Sequence, residues 1–437
     1  MSTGQDKILA AIRDALAPEL SHGRRVVVGL SGGLDSVLLL QALSRLRVEM
    51  GFELSAIHVH HGLSPNADEW AAFCDTLCDT LDVPCTVARI QLPAATGKGV
   101  ERVAREHRYA AFAAVDADVL CLAHHQNDRA ETLLLNLFRG AGATGLAGLP
   151  GARYLGKKRL LRPLLGLPRS ELQAWASEHR LRWIEDESNQ DLRYRRNAIR
   201  HKVIPAVTTV FPGVVDVLAR TAAQMQEQMQ LLDRLAESDG AACRDASGYL
   251  SVTRLQQLPE SARRNVLRYA FGKEAIQIPS ARRLTALSDQ LGSASADSEV
   301  FVRMGAVGVH LWRDHVWLDT AMDLPLPATG ALSPGDVPWP DGVLTIRPLL
   351  ATAANLQVRP LGHGQRFWPL GRCRDAVTEL LRAQGVPPWV RSRLPGVWSG
   401  DELIWVAILG ASASPETLPA MAAMLTWAPH PARRLSA

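Results

Sequence analysis

Val26-Val27-Val28-Gly29-Leu30-Ser31-Gly32-Gly33-Leu34-Asp35-Ser36 decides how this chain is read. A β-branched apolar run stops at glycines and serines and resumes as Val37-Leu38-Leu39-Leu40-Gln41-Ala42-Leu43. That pattern predicts a buried strand, a glycine turn and a helix start. Glycines let backbone approach a ligand closely, and the free N–H groups and positive dipole end of a new helix favour negative charge. The loop lacks the Lys-Ser/Thr end of a Walker A sequence and is not GxGxxG. An ordinary capped βα turn needs only one of Asp35 and Ser36, and leaves the rest of the six-residue string without a purpose.

Further along the chain, strand and helix patterns alternate. Strands are expected at Leu54–His60, Pro84–Ile90 and Asp118–Ala123, with helices before Leu81, from Val100 to Val115 and up to Phe138; residues 91–99 read as a loop. This is the pattern of an α/β, doubly wound parallel sheet whose site lies at the carboxyl ends of its strands. Three unusual segments fall at such ends: the glycine loop, His60-His61, and His124-His125-Gln126-Asn127-Asp128-Arg129-Ala130-Glu131. Each histidine pair alone is compatible with a plain strand end, but their recurrence on one edge points to a shared site.

The length of 437 residues accommodates two to three domains, and 47% hydrophobic with 21% charged residues describes a soluble globular protein. No apolar run is long enough to cross a bilayer and the amino end lacks a signal-peptide core, so a cytoplasmic protein with no membrane partner is expected. The six cysteines contain no CxxC pair; Cys74 and Cys78 share a helical face and, without a second pair, read as reduced core residues rather than a zinc site. Net charge is only +4, yet residues 153–202 alone carry a surplus of +7. Within them Arg195, Arg196 and Arg200 are candidates for nucleic-acid phosphate contacts, with a solvated helix face as the alternative. The chain divides into a domain at 1–215, a mainly helical middle domain at 216–322, a Pro/Gly-rich linker at 323–342 and a small α+β domain at 343–437. Val300–Met304 and Val309–Leu318 read as strands, and Val214 to about Glu237 as a long helix.

Ser31-Gly32-Gly33-Leu34-Asp35-Ser36 resembles the pyrophosphate loop of the N-type ATP pyrophosphatases. With it stand His58-Val59-His60-His61-Gly62-Leu63-Ser64, Glu101-x-x-Ala104-Arg105-x-x-Arg108-Tyr109, His124-His125-x-x-Asp128-x-x-Glu131-Thr132, Asp186-x-Ser188-Asn189 and Arg196-Asn197-x-x-Arg200. In this order the set resembles the tRNA(Ile)-lysidine synthetase family, strongly over about the first 215 residues and again at Pro387-x-Trp389-Val390-Arg391. The resemblance implies a PP-loop catalytic domain that uses ATP and Mg²⁺, takes L-lysine and an isoleucine tRNA with a CAU anticodon, and modifies C2 of the wobble cytidine through an adenylated intermediate. It implies that Ser31 to Ser36 cradle pyrophosphate and that Asp35 and Asp128 hold the metal. His124 would touch the intermediate, and Arg105 and Glu131 would line the lysine or transition-state pocket. The middle and final domains would bind tRNA. Position 127 is Asn where many relatives have a second Asp, which leaves Asp128 as the metal candidate. A sulfur-adding member of the same superfamily needs reactive, commonly paired cysteines. A nonenzymatic RNA binder needs neither Asp128 nor Glu131.

Overall fold

Alternate residues of β1 (Arg25–Gly29) face opposite sides of a six-stranded sheet, and this alternation sorts the core of the first half of the chain. Val26 and Val28 pack with Ile8 and Ile12 of α1 (Thr3–Leu16) and with Leu38 and Leu39 of α2 (Leu34–Met50). Val27 packs on the other face, with Ile57, Phe112 and Leu120. The computed structural model describes residues 3–20, 24–62, 64–90, 100–274, 276, 281–294, 300–331, 333–347, 356–370, 373–413, 425–430 and 433–435. The expected loop at 91–99, and Leu63 of the His58 segment, lie outside these.

The first unit, Met1–Leu231, continues with β2 (Glu53–His60), α3 (Ala67–Thr80), β3 (Cys85–Arg89), α4 (Val100–Ala114), β4 (Val119–Cys121) and α5 (Gln126–Leu137). Then come α6 (Ala143–Leu146), β5 (Ala152–Leu155), β6 (Lys158–Leu161) and α7 (Arg169–Glu178). The strand order is β3-β2-β1-β4-β6-β5, parallel throughout except for β5 at the edge. Helices cover both faces, as a doubly wound sheet requires.

The β5–β6 hairpin falls in the basic segment, where charge hides the strand pattern. Several of those bases are spent inside the fold. Lys158 is buried and donates to the carbonyls of Phe112 and Ala113 at the end of α4, Arg159 bonds Glu19, and Arg162 is buried and donates to the Pro150 carbonyl. The +7 surplus therefore overstates the charge this segment turns outward.

Past α8 (Arg195–Ala198), a π turn over Ile199–Val203 and α9 (Ile204–Val210), one continuous helix, α10 (Val214–Ala242), runs through the expected boundary at 215; the compact units part at Leu231. The second unit, Leu232–Ala437, holds α11 (Val252–Gln257), α12 (Glu260–Lys273) and α13 (Ala281–Ser293). After them come β7 (Val300–Met304), β8 (Val307–Trp312) and β9 (His315–Asp319). The strand read at 309–318 is thus a hairpin. Arg313 and Asp314 turn it with φ of 47° and 62°, and Asp314 accepts hydrogen bonds from Ser251 and Thr253, so the turn lacks the Asn-Gly signature that would have announced it.

The expected linker also carries structure: β10 (Gly330–Ala331) and β11 (Gly335–Trp339) lie in it, and Trp339 is buried. β12 (Gly342–Ile346), β13 (Leu356–Pro360), β14 (Arg366–Phe367), β15 (Asp375–Ala376), α14 (Val377–Ala383) and α15 (Pro388–Arg391) follow. β16 (Pro395–Ser399), β17 (Glu402–Val406), β18 (Gly410–Ala411), β19 (Leu425–Pro429) and β20 (Arg433–Arg434) complete an α+β arrangement. β20 returns to pair with β9. Trp389 stacks on His310 at 3.7 Å between ring centres, edge-on to Trp312 and Trp317, and Arg393 bonds both Asp319 and Asp341. The Trp389–Arg393 motif therefore joins the middle and final parts into one unit.

Candidate active site

The glycine loop leaves β1 and enters α2 through one conformationally demanding step. Gly32 has φ +85°, which requires glycine, and a Cβ there would also press on the tip of Ile184 (Cδ1 at 2.6 Å). The turn is held from within. Ser36 Oγ donates to the Gly33 carbonyl (2.9 Å) and accepts from the Ser31 N–H (3.1 Å), and the Ser31 and Ser36 hydroxyls lie 3.0 Å apart. Ile184 N–H donates to the Gly32 carbonyl, which ties the loop to the segment after α7. Leu34 and Asp35 begin α2, with the Asp35 carboxylate in its first turn.

Across from the loop, β4 ends in His124-His125 and α5 begins. Asp128 Oδ2 accepts from the His125 N–H (3.0 Å) across the first turn of α5. The His125 ring bridges two carboxylates, its Nε2 3.6 Å from both Asp35 Oδ2 and Asp128 Oδ2. Burial opposes charge on this ring, but the hydrogen bond with Asp35 and the charges of Asp128 and Asp35 outweigh it and raise its pKa. At Asp128 burial likewise favours the neutral acid and is overcome, chiefly by His125 and Arg196, so its pKa lies down at about 2.

Arg196 and Arg200 converge on the same carboxylates. Arg196 donates through Nη2 to Asp128 Oδ1 (2.6 Å) and through Nε to Glu131 Oε2 (2.7 Å); Arg200 donates through Nε to Glu131 Oε1 (2.6 Å). The π turn at 199–203 carries Arg200 to the pair that Arg196 already holds. Glu131 is 1% exposed, so its carboxylate is wholly committed to these arginines.

A cavity of about 1110 Å³ opens between these parts, lined among others by Ser31, Gly33, Asp35, His61, His124 and Arg200. Burial pushes His124 down to about 3, against the pull of Asp128, and pushes His61 down to about 4, with Arg108 adding to it. Both rings stay neutral in the fold, whereas the unfolded chain protonates them near pH 6.5. Stability from this source is intact above about pH 6.5 and is lost as pH falls toward the folded values. His125 has the opposite sign: its contribution is full below about pH 6.5 and is lost as pH rises through its raised pKa. We expect the melting temperature to fall between about pH 7 and 5, and His124→Asn to flatten that fall. An unaltered slope in the variant would exclude His124 as a source.

The structure brings Ser31 to Ser36, Asp35, His124 and Arg200 to one cavity and sets Asp128 and Glu131 beside it, held by arginines. Arg195 is exposed, while Arg196 and Arg200 turn inward to the carboxylates instead of outward as a phosphate-binding face. Arg105 is exposed and lies over the Tyr109 ring, 4.9 Å from its centre. Asn127 accepts from the Arg169 N–H and so ties α5 to the start of α7. His125, Arg108 and Tyr109 stand in the quoted motifs without a role assigned from sequence, and Arg162 stands in none of them. Arg162 donates to His124 Nδ1 (3.3 Å), a contact made across sequence that no local pattern encodes.

A hard cation fits this site on one side. Asp35 Oδ1 is buried with no hydrogen-bond partner, an oxygen of the kind Mg²⁺ takes together with substrate phosphates. Both oxygens of Asp128 are engaged by protein donors. Among the described residues no three His, Cys, Asp or Glu side chains form a metal cage, and no single helix is long and apolar enough to cross a membrane.

Comparison with known proteins covers nearly the whole chain. The family model described as PP-loop domain matches residues 3–207, that of the TilS substrate binding domain residues 250–317, and that of the TilS substrate C-terminal domain residues 356–427. The chain is 37% identical to the tRNA(Ile)-lysidine synthase of Azoarcus sp. (strain BH72), over 91% of its own length and 90% of the relative's. It is 36% identical to that of Nitrosomonas europaea (90% of each chain) and 38% identical to that of Pseudomonas aeruginosa (92% and 93%). A glycine loop facing a buried His-Asp-Glu cluster, continued through both substrate domains at this identity, places the chain in the tRNA(Ile)-lysidine synthase family.

Proposed function

We propose that this protein ligates lysine to C2 of the wobble cytidine in an isoleucine tRNA with a CAU anticodon, by way of an adenylated cytidine. The product switches codon reading and charging identity from methionine to isoleucine. The observation that carries this reading is the single cavity that joins the Ser31–Ser36 loop to His124 and borders Asp128 and Glu131.

In the first step the cytidine O2 attacks the α-phosphorus of ATP and pyrophosphate leaves into the loop, where backbone N–H groups and the α2 dipole offset its charge. Mg²⁺, when bound with ATP, would be held by Asp35 and would neutralise phosphate charge. His124, neutral and nearly buried, offers a hydrogen bond to oxygen without adding a charge. In the second step the lysine amine adds to C2 and AMP departs with O2. Glu131 is the carboxylate assigned to receive the amine's proton, a role it can take only when the arriving ammonium displaces Arg196 or Arg200 from it. Arg105, at the edge of the same region, suits the lysine pocket, and Arg195 is the outward arginine suited to tRNA phosphate.

Sulfur transfer finds little support. Among the described residues no cysteine lines the cavity, and burial holds the Cys74 thiol up at about 12. The test is mass spectrometry of isoleucine tRNA after incubation with ATP, Mg²⁺ and lysine. A lysine adduct on the anticodon cytidine is expected; pyrophosphate release without that adduct would overturn the assignment.

A further inference from the structure

We propose that Arg162 is a positioning residue that fixes His124 in the tautomer carrying its proton on Nε2, so that the ring serves the reaction cavity as a neutral hydrogen-bond donor. This rests on the reading of the cavity as the adenylation and transfer site.

Arg162 follows β6 directly and is 4% exposed. Its Nη1 donates to the Pro150 carbonyl at 2.7 Å, which anchors the guanidinium, and its Nε donates to His124 Nδ1 at 3.3 Å. A guanidinium has donors only, so Nδ1 must supply a lone pair. A neutral imidazole whose Nδ1 accepts carries its proton on Nε2, and an imidazolium would set N–H against N–H. Burial keeps the ring neutral, and the nearby charges of Arg162, Arg196 and Arg105 act in the same direction.

The chemistry needs this arrangement. Negative charge gathers on the phosphate oxygens and then on the departing AMP, and both call for a donor. The other tautomer would present an acceptor lone pair from Nε2 and repel those oxygens. A ring free to exchange tautomers would spend part of its time in that form. Arg162 does not line the cavity; it acts through His124, with its anchor at Pro150.

The test uses the full chain labelled with ¹⁵N-histidine. Long-range ¹H–¹⁵N correlation reads the tautomer directly, with His124→Asn identifying the signal. The parent is expected to show an unprotonated Nδ1 and a protonated Nε2. Arg162→Met keeps the aliphatic stem and removes the donor; the His124 signal should shift toward the Nδ1–H form. Its kcat for tRNA-dependent pyrophosphate release should fall about 10- to 100-fold with KM for ATP and tRNA unchanged. Arg162→Lys, which retains a donor, should recover the parent tautomer and part of kcat. A parent ring protonated on Nδ1 would overturn the proposal, as would an Arg162→Met protein with the parent tautomer or the parent kcat. Should Arg162→Met fail to fold, the parent spectrum and Arg162→Lys still decide. The tautomer is read without substrate, so failure to form lysidine would count against the functional reading and leave this assignment standing.

Discussion

Asp35→Ala should lower tRNA-dependent pyrophosphate release about 10²- to 10³-fold, as loss of one preorganised electrostatic group does, while the melting temperature moves by no more than a few degrees. The asymmetry follows from its surroundings. One carboxylate oxygen of Asp35 has no hydrogen-bond partner, and the other stands 3.6 Å from His125. Its structural contribution is that of an acid in the first turn of a helix, about 0.3–1 kcal/mol. Stopped-flow or endpoint pyrophosphate assays beside thermal melts check both halves. Parent-rate release would remove Asp35 from the first step, and a large loss of stability would make it a structural cap.

Glu131→Ala should behave in the opposite way and cost the fold heavily. Removing this carboxylate leaves Arg196 and Arg200 facing Asp128 alone, a half-buried surplus of positive charge. Breaking such a cluster from one side costs about 3–5 kcal/mol. For a unit of this size that corresponds to a melting temperature lower by roughly 6–20 °C. Glu131→Gln keeps the shape and one acceptor oxygen, so it should lose less stability, retain most pyrophosphate release and slow lysine transfer, with adenylated tRNA accumulating. Melting curves of the two variants, with single-turnover separation of the two steps, check this. A Glu131→Ala protein as stable as the parent would show that the cluster contributes nothing to the fold, and equal slowing of both steps in Glu131→Gln would remove Glu131 from transfer.

The parallel sheet is legible because central strands such as Val26–Gly29 and Val119–Cys121 are apolar on both faces and alternate with helix patterns. The hairpin at Ala152–Leu161 was not, since Lys158 and Arg159 occupy strand positions and find their partners in distant elements. For the site, sequence gave residue types that meet in space. It did not give their pairing: Arg196 and Arg200 were read as outward cations, because a helix pattern tells nothing of acids 65 or more positions earlier. Trp389 shows the same limit: its motif marks a family resemblance, whereas its packing on His310, with Arg393 bonded to Asp319 nearby, is an internal joint that no local pattern encodes.

The return of β20 to β9 has a consequence in time. Leu435 is fully buried, its carbonyl accepts from the Leu250 N–H and its own N–H donates to the Val316 carbonyl. During synthesis, which proceeds at about 5–20 residues per second, the strands of the middle region emerge more than a hundred residues before the segment that closes their open edge. For roughly 6–23 s the nascent β7–β9 sheet has an unprotected border with free backbone donors and acceptors. The middle region is thus finished last, though it is made before the part that follows it. A chain cut anywhere between the two would keep that border open for good, so deleting the final region does not isolate its contribution to tRNA binding.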